Sequence, residues 1–167
     1  MVNYKSIKLS PGLYFVSTPI GTARDITLRA LDILANADVL AAEDTRTLKK
    51  LLEIHGIQLK KRSLISYHDH NASKVLPKLL AHLNQGKSIA YASEAGTPLI
   101  ADPGFSLLTK VLSEENNVTS APGPCALIAA LTVAGLPTDR FYFEGFLPTN
   151  KIRESQNFAN YSFIRGP

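Results

Sequence analysis

Two short stretches of this 167-residue chain set proton-transferring side chains beside each other. Glu43-Asp44-Thr45-Arg46 places two carboxylates next to a guanidinium, and His68-Asp69-His70 places two imidazoles around a third carboxylate. Carboxylates and imidazoles can move protons near neutral pH, so both stretches are candidates for general acid–base chemistry. Structural roles compete with that reading. Asp44 or Thr45 suits a helix N-cap, Arg46 an ion pair with a neighbouring carboxylate, and a His-x-His at a strand end a hydrogen-bonded surface pair. No third ligand stands at convincing spacing for a metal, so none is expected. The single cysteine, Cys125, allows neither an intramolecular disulfide nor a zinc-type cysteine cluster.

Three further stretches are suited to bringing backbone close to a ligand. Thr18-Pro19-Ile20-Gly21 turns sharply, and Gly21 permits an approach that a side chain would block. It fits neither the G-x-G-x-x-G fingerprint nor the Walker phosphate loop, so nicotinamide chemistry and nucleotide hydrolysis have no support. Residues 93–104 contain two glycines, two prolines and two carboxylates, a composition that stiffens a loop and presents backbone groups to a ligand. Asp102 or Gly104 would alternatively set up the helix that follows. Pro122-Gly123-Pro124-Cys125 kinks the chain ahead of an apolar helix whose first amides could face a ligand. Cys125 reads as a packing residue, since no basic neighbour in sequence would lower its pKa.

The elements that must position these stretches follow from hydrophobic periodicity. Residues 13–16, 38–42, 63–67, 88–92 and 118–120 are short apolar runs with strand character. Between them lie helical patterns: Ile26, Ala30, Leu31 and Leu34 behind a cap at Asp25; Leu48, Leu51, Leu52 and His55 ending at Gly56; Val75, Leu76, Leu79, Leu80 and Leu83 ending near Gly86; and residues 104–113. Residues 126–134 are apolar on every side, as in a helix buried between layers. This alternation predicts an α/β fold with a parallel sheet covered on both faces. In such a fold ligands bind beyond the carboxyl ends of the strands, and all five stretches fall just after a predicted strand, on one rim. Residues 141–146 read as one more strand entering a second domain, and residues 150–167 as a polar, aperiodic tail. The expected division is a domain over residues 1–135 and a linker with the start of another over residues 136–167.

Composition narrows the class without choosing an activity. Apolar residues make up 45% and charged residues 19%, a globular balance. Residues 1–12 lack the apolar block of a signal peptide, and no run approaches the roughly 18 apolar residues of a membrane span. A cytoplasmic protein with no membrane partner is expected. The net charge of +4 would suit a phosphate-bearing partner, although many proteins with no nucleic-acid role are equally basic.

Six segments in one order carry a more specific signal: residues 12–21, Ala-Ala-Glu-Asp-Thr-Arg at 41–46, Ser-Tyr-His-Asp-His-Asn at 66–71, Ser-Glu-Ala-Gly-Thr-Pro at 93–98, Ala-Pro-Gly-Pro-Cys-Ala at 121–126 and Leu-Pro-Thr-Asp-Arg-Phe at 136–141. Together they resemble the N-terminal half of the 16S rRNA cytidine 2′-O-methyltransferases, within the tetrapyrrole methylase superfamily. The resemblance runs over residues 12–148. The strings at 41–46, 66–71 and 136–141, with Phe-Glu-Gly-Phe-Leu-Pro at 143–148, are similar to the rRNA enzymes in particular, whereas Gly-Thr-Pro and Pro-Gly-Pro belong to the wider superfamily. The resemblance implies a three-layer α/β sandwich and S-adenosylmethionine as cofactor, in a cleft between two α/β domains. It implies cofactor contacts from Pro19, Ile20, Gly21, Glu94, Ala95, Gly96, Thr97, Pro98, Ile100, Pro124, Cys125 and Ala126. Substrate-side roles then fall to Glu43, Asp44, Arg46, His68 and His70. The implied substrate is a cytidine ribose of 16S rRNA in the 30S subunit, and the implied assembly a homodimer. A ribose hydroxyl must lose a proton as it attacks a methyl group in line, so positioning and a local base carry the step. Rim position makes Asp44 and His68 the candidates for that base.

Three departures from the family pattern lie on the implied cofactor rim: Thr22 where Asn is usual, Glu94 where Asp is usual and Cys125 where Ser is usual. Glu94 lengthens the arm that carries the charge, and Cys125 replaces a good hydrogen-bonding group with a weak one, so weaker cofactor binding is expected. After Pro148 the family continues into a second domain, whereas this sequence runs into a short, dissimilar tail, as a truncated, split or frameshifted product would. A second reading is therefore a non-catalytic remnant, or one half of a split enzyme that docks a separately encoded second domain. A third keeps the enzyme class and takes a tetrapyrrole substrate; Ala-Glu-Asp-Thr-Arg and Tyr-His-Asp-His-Asn count against it.

Overall fold

The computed structural model describes residues 3–146. The chain divides into two compact units, Met1–Leu136 and Pro137–Pro167. In the first, strands and helices alternate: β1 (Gly12–Val16), α1 (Leu28–Asn36), β2 (Val39–Ala42), α2 (Thr45–Ile54), β3 (Ser63–Ser66), α3 (Ala72–Asn84), β4 (Ser88–Ala92), α4 (Phe105–Ser113), β5 (Val118–Ala121) and α5 (Ala126–Val133). The strands form one sheet in the order β3-β2-β4-β1-β5, with every pairing parallel.

Both faces of the sheet are covered, and the period-2 alternation of the strands divides their side chains between two cores. Val16, Leu40, Ala42, Ala90, Ala92 and Ala121 face one way and pack with Leu31, Ile33 and Leu34 of α1 and Leu48 and Leu52 of α2. Leu13, Phe15, Val39, Ala41, Ile89 and Tyr91 face the other way, against Leu79 and Leu83 of α3 and Leu107 and Val111 of α4. This is the expected three-layer α/β arrangement. Each fully buried leucine or isoleucine contributes on the order of 1.5–3 kcal/mol, so the sheet forms a stiff base for the loops at its edge. The two cores differ near the carboxyl edge. The first presents the small Ala42, Ala92 and Ala121; the second presents an aromatic group in which Tyr91 meets Phe15 and Tyr67 edge-on, at 5.7 and 5.8 Å between ring centres.

Three expectations are corrected. The cap of α1 is Thr27 rather than Asp25: the Thr27 hydroxyl accepts the Ala30 amide at 3.2 Å, while the Asp25 amide is used in a turn onto the Thr22 carbonyl. Helix α5 is not buried between layers. None of its residues is buried, with Ile128 50% and Val133 83% exposed, because it follows the edge strand β5 and takes no part in either core. Residues 141–146, expected as a strand, form no strand; Gly145 adopts a left-handed φ of +82° within them, which breaks an extended run. The tail expected over residues 150–167 lies outside the described residues.

Candidate active site

Because all five strands are parallel, their carboxyl ends share one edge of the sheet. The loops that leave adjacent strands β1 and β4 diverge there, one to α1 on the first face and the other to α4 on the second. That divergence is the switch point at which open α/β sheets bind ligands. The two loops are tied by backbone as an antiparallel bridge, with the Thr18 amide on the Gly96 carbonyl at 2.9 Å and the Gly96 amide on the Thr18 carbonyl at 3.0 Å. Buried hydroxyls reinforce the bridge. Thr18 Oγ1 donates to the Ser93 carbonyl at 3.1 Å, and Ser93 Oγ donates to the Gly96 carbonyl at 2.5 Å. The loop after β5 joins the same point through Thr97 Oγ1, which donates to the Pro124 carbonyl at 3.0 Å.

Two glycines make this convergence possible. Gly96 has a φ of +84°, and a Cβ built on it would stand 3.3 Å from Ile20 Cγ2 and 3.9 Å from the Pro124 carbonyl oxygen. Gly123 passes so close to β1 that a Cβ there would stand 2.9 Å from Ser17 Cβ. Ile20, Gly96 and Pro124, from three different loops, thus surround one spot. The rest of the β4 loop is held from below, with Tyr91 Oη donating to the Pro103 carbonyl at 3.3 Å. Leu99 and Ala101 sit at φ of +73° and +55°, a conformation that costs side chains of this kind about 1–2 kcal/mol and persists only where surroundings impose it.

The ends of β2 and β3 carry charge. Asp44 caps α2, accepting the Arg46 amide at 2.7 Å, and its carboxylate also takes the Arg46 guanidinium at 2.7 Å. Those bonds to Arg46 hold its carboxyl down at about 2. Glu43 behaves oppositely: burial, then the negative charges of Asp102 and Glu94, push its carboxyl above the usual range. Asp102 is pushed up as well, by burial and then by Glu94, and its Oδ2 is buried without a hydrogen-bond partner. Asn71 holds His68. Its side-chain oxygen accepts the His68 amide at 3.0 Å, and its Nδ2 donates to the Ser66 carbonyl at 3.1 Å and lies 3.2 Å from His68 Nε2. With Nε2 accepting from the amide, a neutral His68 carries its proton on Nδ1, which is buried and without a partner. His70 is exposed, its ring 6.0 Å from that of His68.

The residues picked out by sequence therefore separate into groups. Ile20, Gly96, Thr97 and Pro124 come together, flanked by Pro19, the exposed Gly21 and the buried Pro98. Asp102, Glu94 and His68 act electrostatically on Glu43, and Glu94 acts on Asp102. Asp44 and Arg46 turn to each other, while Ala95, Ile100 and Ala126 are exposed. Cys125 is half-buried at the head of α5 and its thiol makes no cap bond there. Ser17, Thr18 and Ser93 fall within stretches picked out by sequence but are given no role of their own there; they are 1, 2 and 4% exposed and their hydroxyls are hydrogen-bonded across the loops. Sequence reading also passed over Asn71 as a site residue, although Asn three places after His68 is a turn signal. Among the described residues no group of three metal-ligating side chains occurs, and no helix is long and apolar enough to cross a membrane.

Comparison with known proteins agrees with this geometry. The chain is 51% identical over 140 residues to the ribosomal RNA small subunit methyltransferase I of Mesorhizobium japonicum, covering 84% of this chain and 47% of that protein. It is 49% identical over 149 residues to the protein of the same name from Escherichia coli O157:H7, covering 89% and 51%. The chain thus spans about half the length of these relatives. Among solved structures, it shares its fold with uroporphyrin-III-C-methyltransferase from Thermus thermophilus, at a TM-score of 0.56 and 21% identity over 76% of this chain and 54% of the other. It also shares it with cobalt precorrin-4 methyltransferase, a cobalamin biosynthetic enzyme, at 0.59 and 19% over 73% and 49%. Residues 12–159 match the family described as Tetrapyrrole (Corrin/Porphyrin) Methylases, and with its parallel sheet and Gly96-centred rim the chain belongs to that family.

Proposed function

We propose that this chain carries the methyl-donor side and part of the substrate side of an S-adenosylmethionine-dependent methyltransferase, which acts on a cytidine ribose 2′-oxygen of 16S rRNA in the 30S subunit. The observation that carries the reading is the convergence of Ile20, Gly96 and Pro124 at the switch point of the sheet, where a single Cβ on Gly96 would fill the space between them. The relatives' names supply the RNA substrate, and the positive net charge is compatible with it. S-adenosylmethionine would supply an electrophilic methyl group. Pro19, Ile20 and Gly21, the stretch from Glu94 to Pro98 with Ile100, and Pro124, Cys125 and Ala126 would hold it. Such loops orient a ligand mainly through backbone groups, in keeping with their glycine and proline content.

On the substrate side, Glu43 fits the proton acceptor better than Asp44. A base must have a free, basic oxygen, and the Asp44 carboxylate is engaged by Arg46 and held at about 2. Glu43, pushed upward by burial and its acidic neighbours, is the more basic carboxylate. His68, with its Nε2 taken by Asn71 and its proton on Nδ1, is a hydrogen-bond donor rather than a second acceptor, and the exposed Arg46 and His70 face an incoming phosphate backbone. The RNA substrate implies a cytoplasmic reaction, the family resemblance implies a homodimer, and a domain boundary at 135/136 leaves the cofactor loops on one side.

Calorimetric titration with S-adenosylmethionine, followed by methyl transfer to 30S subunits lacking the modification, tests the proposal. One-site binding and label recovered as 2′-O-methylcytidine are expected. Donor binding without transfer to 30S subunits would redirect the substrate, with tetrapyrroles next to be assayed; no donor binding would overturn the assignment of the rim.

A further inference from the structure

The loop after β5 has little to hold it. Pro122 and Pro124 have no amide hydrogen, and the β1–β5 pairing ends at Val16 and Ala121, with one long bond from the Ser17 amide to the Ala121 carbonyl at 3.4 Å. Beyond the loop, α5 takes no part in either core. Side-chain hydroxyls fix residues 122–125 instead: Thr27 Oγ1 donates to the Pro122 carbonyl at a marginal 3.4 Å, and Thr97 Oγ1 to the Pro124 carbonyl at 3.0 Å. Ser17 Oγ donates in turn to Thr97 Oγ1 at 3.4 Å.

A hydroxyl has one proton to donate. That of Thr97 is engaged by Pro124, so Thr97 has no donor left for a ligand. We propose that Thr97 is a positioning residue: its hydroxyl holds the Pro124 carbonyl, and with it residues 122–125, against the β4 loop, and so sets the width of the space between Gly96 and Pro124. The proposal rests on the methyl-donor reading of that space.

The test compares Thr97→Val, which removes the donor and keeps the shape, with Thr97→Ser, which keeps the donor. Thr97→Ala stands in for the valine variant should that one not fold. Backbone order parameters at the Gly123 and Cys125 amides report on the loop without any ligand. They are expected to stay near 0.85 in wild type and Thr97→Ser and to fall below about 0.6 in Thr97→Val. S-adenosylmethionine affinity is expected to weaken roughly tenfold in Thr97→Val and to be retained in Thr97→Ser, as suits the loss of one hydrogen bond. Unchanged order parameters in Thr97→Val, or equal loss of affinity in both variants, overturn the proposal. A loop loosened only in Thr97→Val, in a wild type that binds no S-adenosylmethionine, upholds the tether and overturns the methyl-donor reading instead.

Discussion

At the ends of β1 and β4 the chain is held by buried, uncharged groups, whereas at the ends of β2 and β3 it is held by exposed or half-buried charge. Thr18, Ser93 and Gly96 bond to one another within a dry network, and their loops have no freedom to move apart without stranding buried polar atoms. Asp44, Arg46 and His68 are anchored locally, by a helix cap and an Asn71 turn, and Glu43 beside them has its carboxyl pushed up by burial and by acidic neighbours. The contrast suits a division of labour. A rigid frame can hold a small ligand without reorganisation, while a charged, wetter margin can meet a large polyanion and move a proton.

The comparison breaks most visibly in activity. Glu43→Gln should lower methyl transfer by roughly 10²–10⁴-fold while leaving S-adenosylmethionine affinity unchanged, because it removes a proton acceptor and no frame contact. Asp44→Asn, in the same transfer assay, should cost far less; an equal loss would return Asp44 to the role of base. On the frame side, Gly123→Val inserts a side chain where a Cβ alone would stand 2.9 Å from Ser17 Cβ. Donor binding should disappear and unfolding stability drop by about 1–3 kcal/mol in a urea titration, as overpacking does.

Thr18→Val removes the donor to the Ser93 carbonyl and leaves buried polar atoms unpaired, which should cost about 1–3 kcal/mol in the same titration. The smallest effect separates the two margins by pH. Glu43 and Asp102 have folded carboxyls raised above the unfolded values, so the folded state binds more protons there, and stability falls as pH rises through the folded values. Glu43→Gln with Asp102→Asn should therefore raise the unfolding free energy near pH 7, by at most about 1 kcal/mol given solvent screening, with the gain vanishing below about pH 4. Thr18→Val, which titrates nothing, should show no such pH dependence.

Much of the architecture was legible because buried strands and amphipathic helices leave different periods in the chain. The runs at 13–16, 38–42, 63–67, 88–92 and 118–120 lie on the five strands within a residue or two. Periodicity failed where it carries no direction. A segment apolar on every side, such as residues 126–134, looks alike whether neighbours cover it or not, and α5 is exposed. Residues 141–146 have strand-forming residue types but form no strand, since pairing depends on a neighbouring edge that local sequence cannot specify. Thr27 rather than Asp25 caps α1 because the helix starts at Leu28, so the residue directly before it, and not one three places ahead of it, meets the amides of the first turn.

For the site, glycines and prolines marked the three ligand-facing loops, and acids and imidazoles marked the charged margin. The sequence by itself determined the alternation of elements, the common rim and the types of group available there, since these depend on local pattern and on the geometry of any parallel sheet. Only the tertiary structure decided which of those groups are free to act. Glu43 gained basicity from burial and from Asp102 and Glu94, and the hydroxyls of Ser17, Thr18, Ser93 and Thr97 became the fastening of the frame, whereas the Asp44–Arg46 pair, two residues apart, was already within reach of the sequence. Basicity and hydrogen-bond commitment depend on neighbours brought from distant positions, as Ser17 and Thr18 meet Thr97 and Ser93, and no local window of sequence contains both partners.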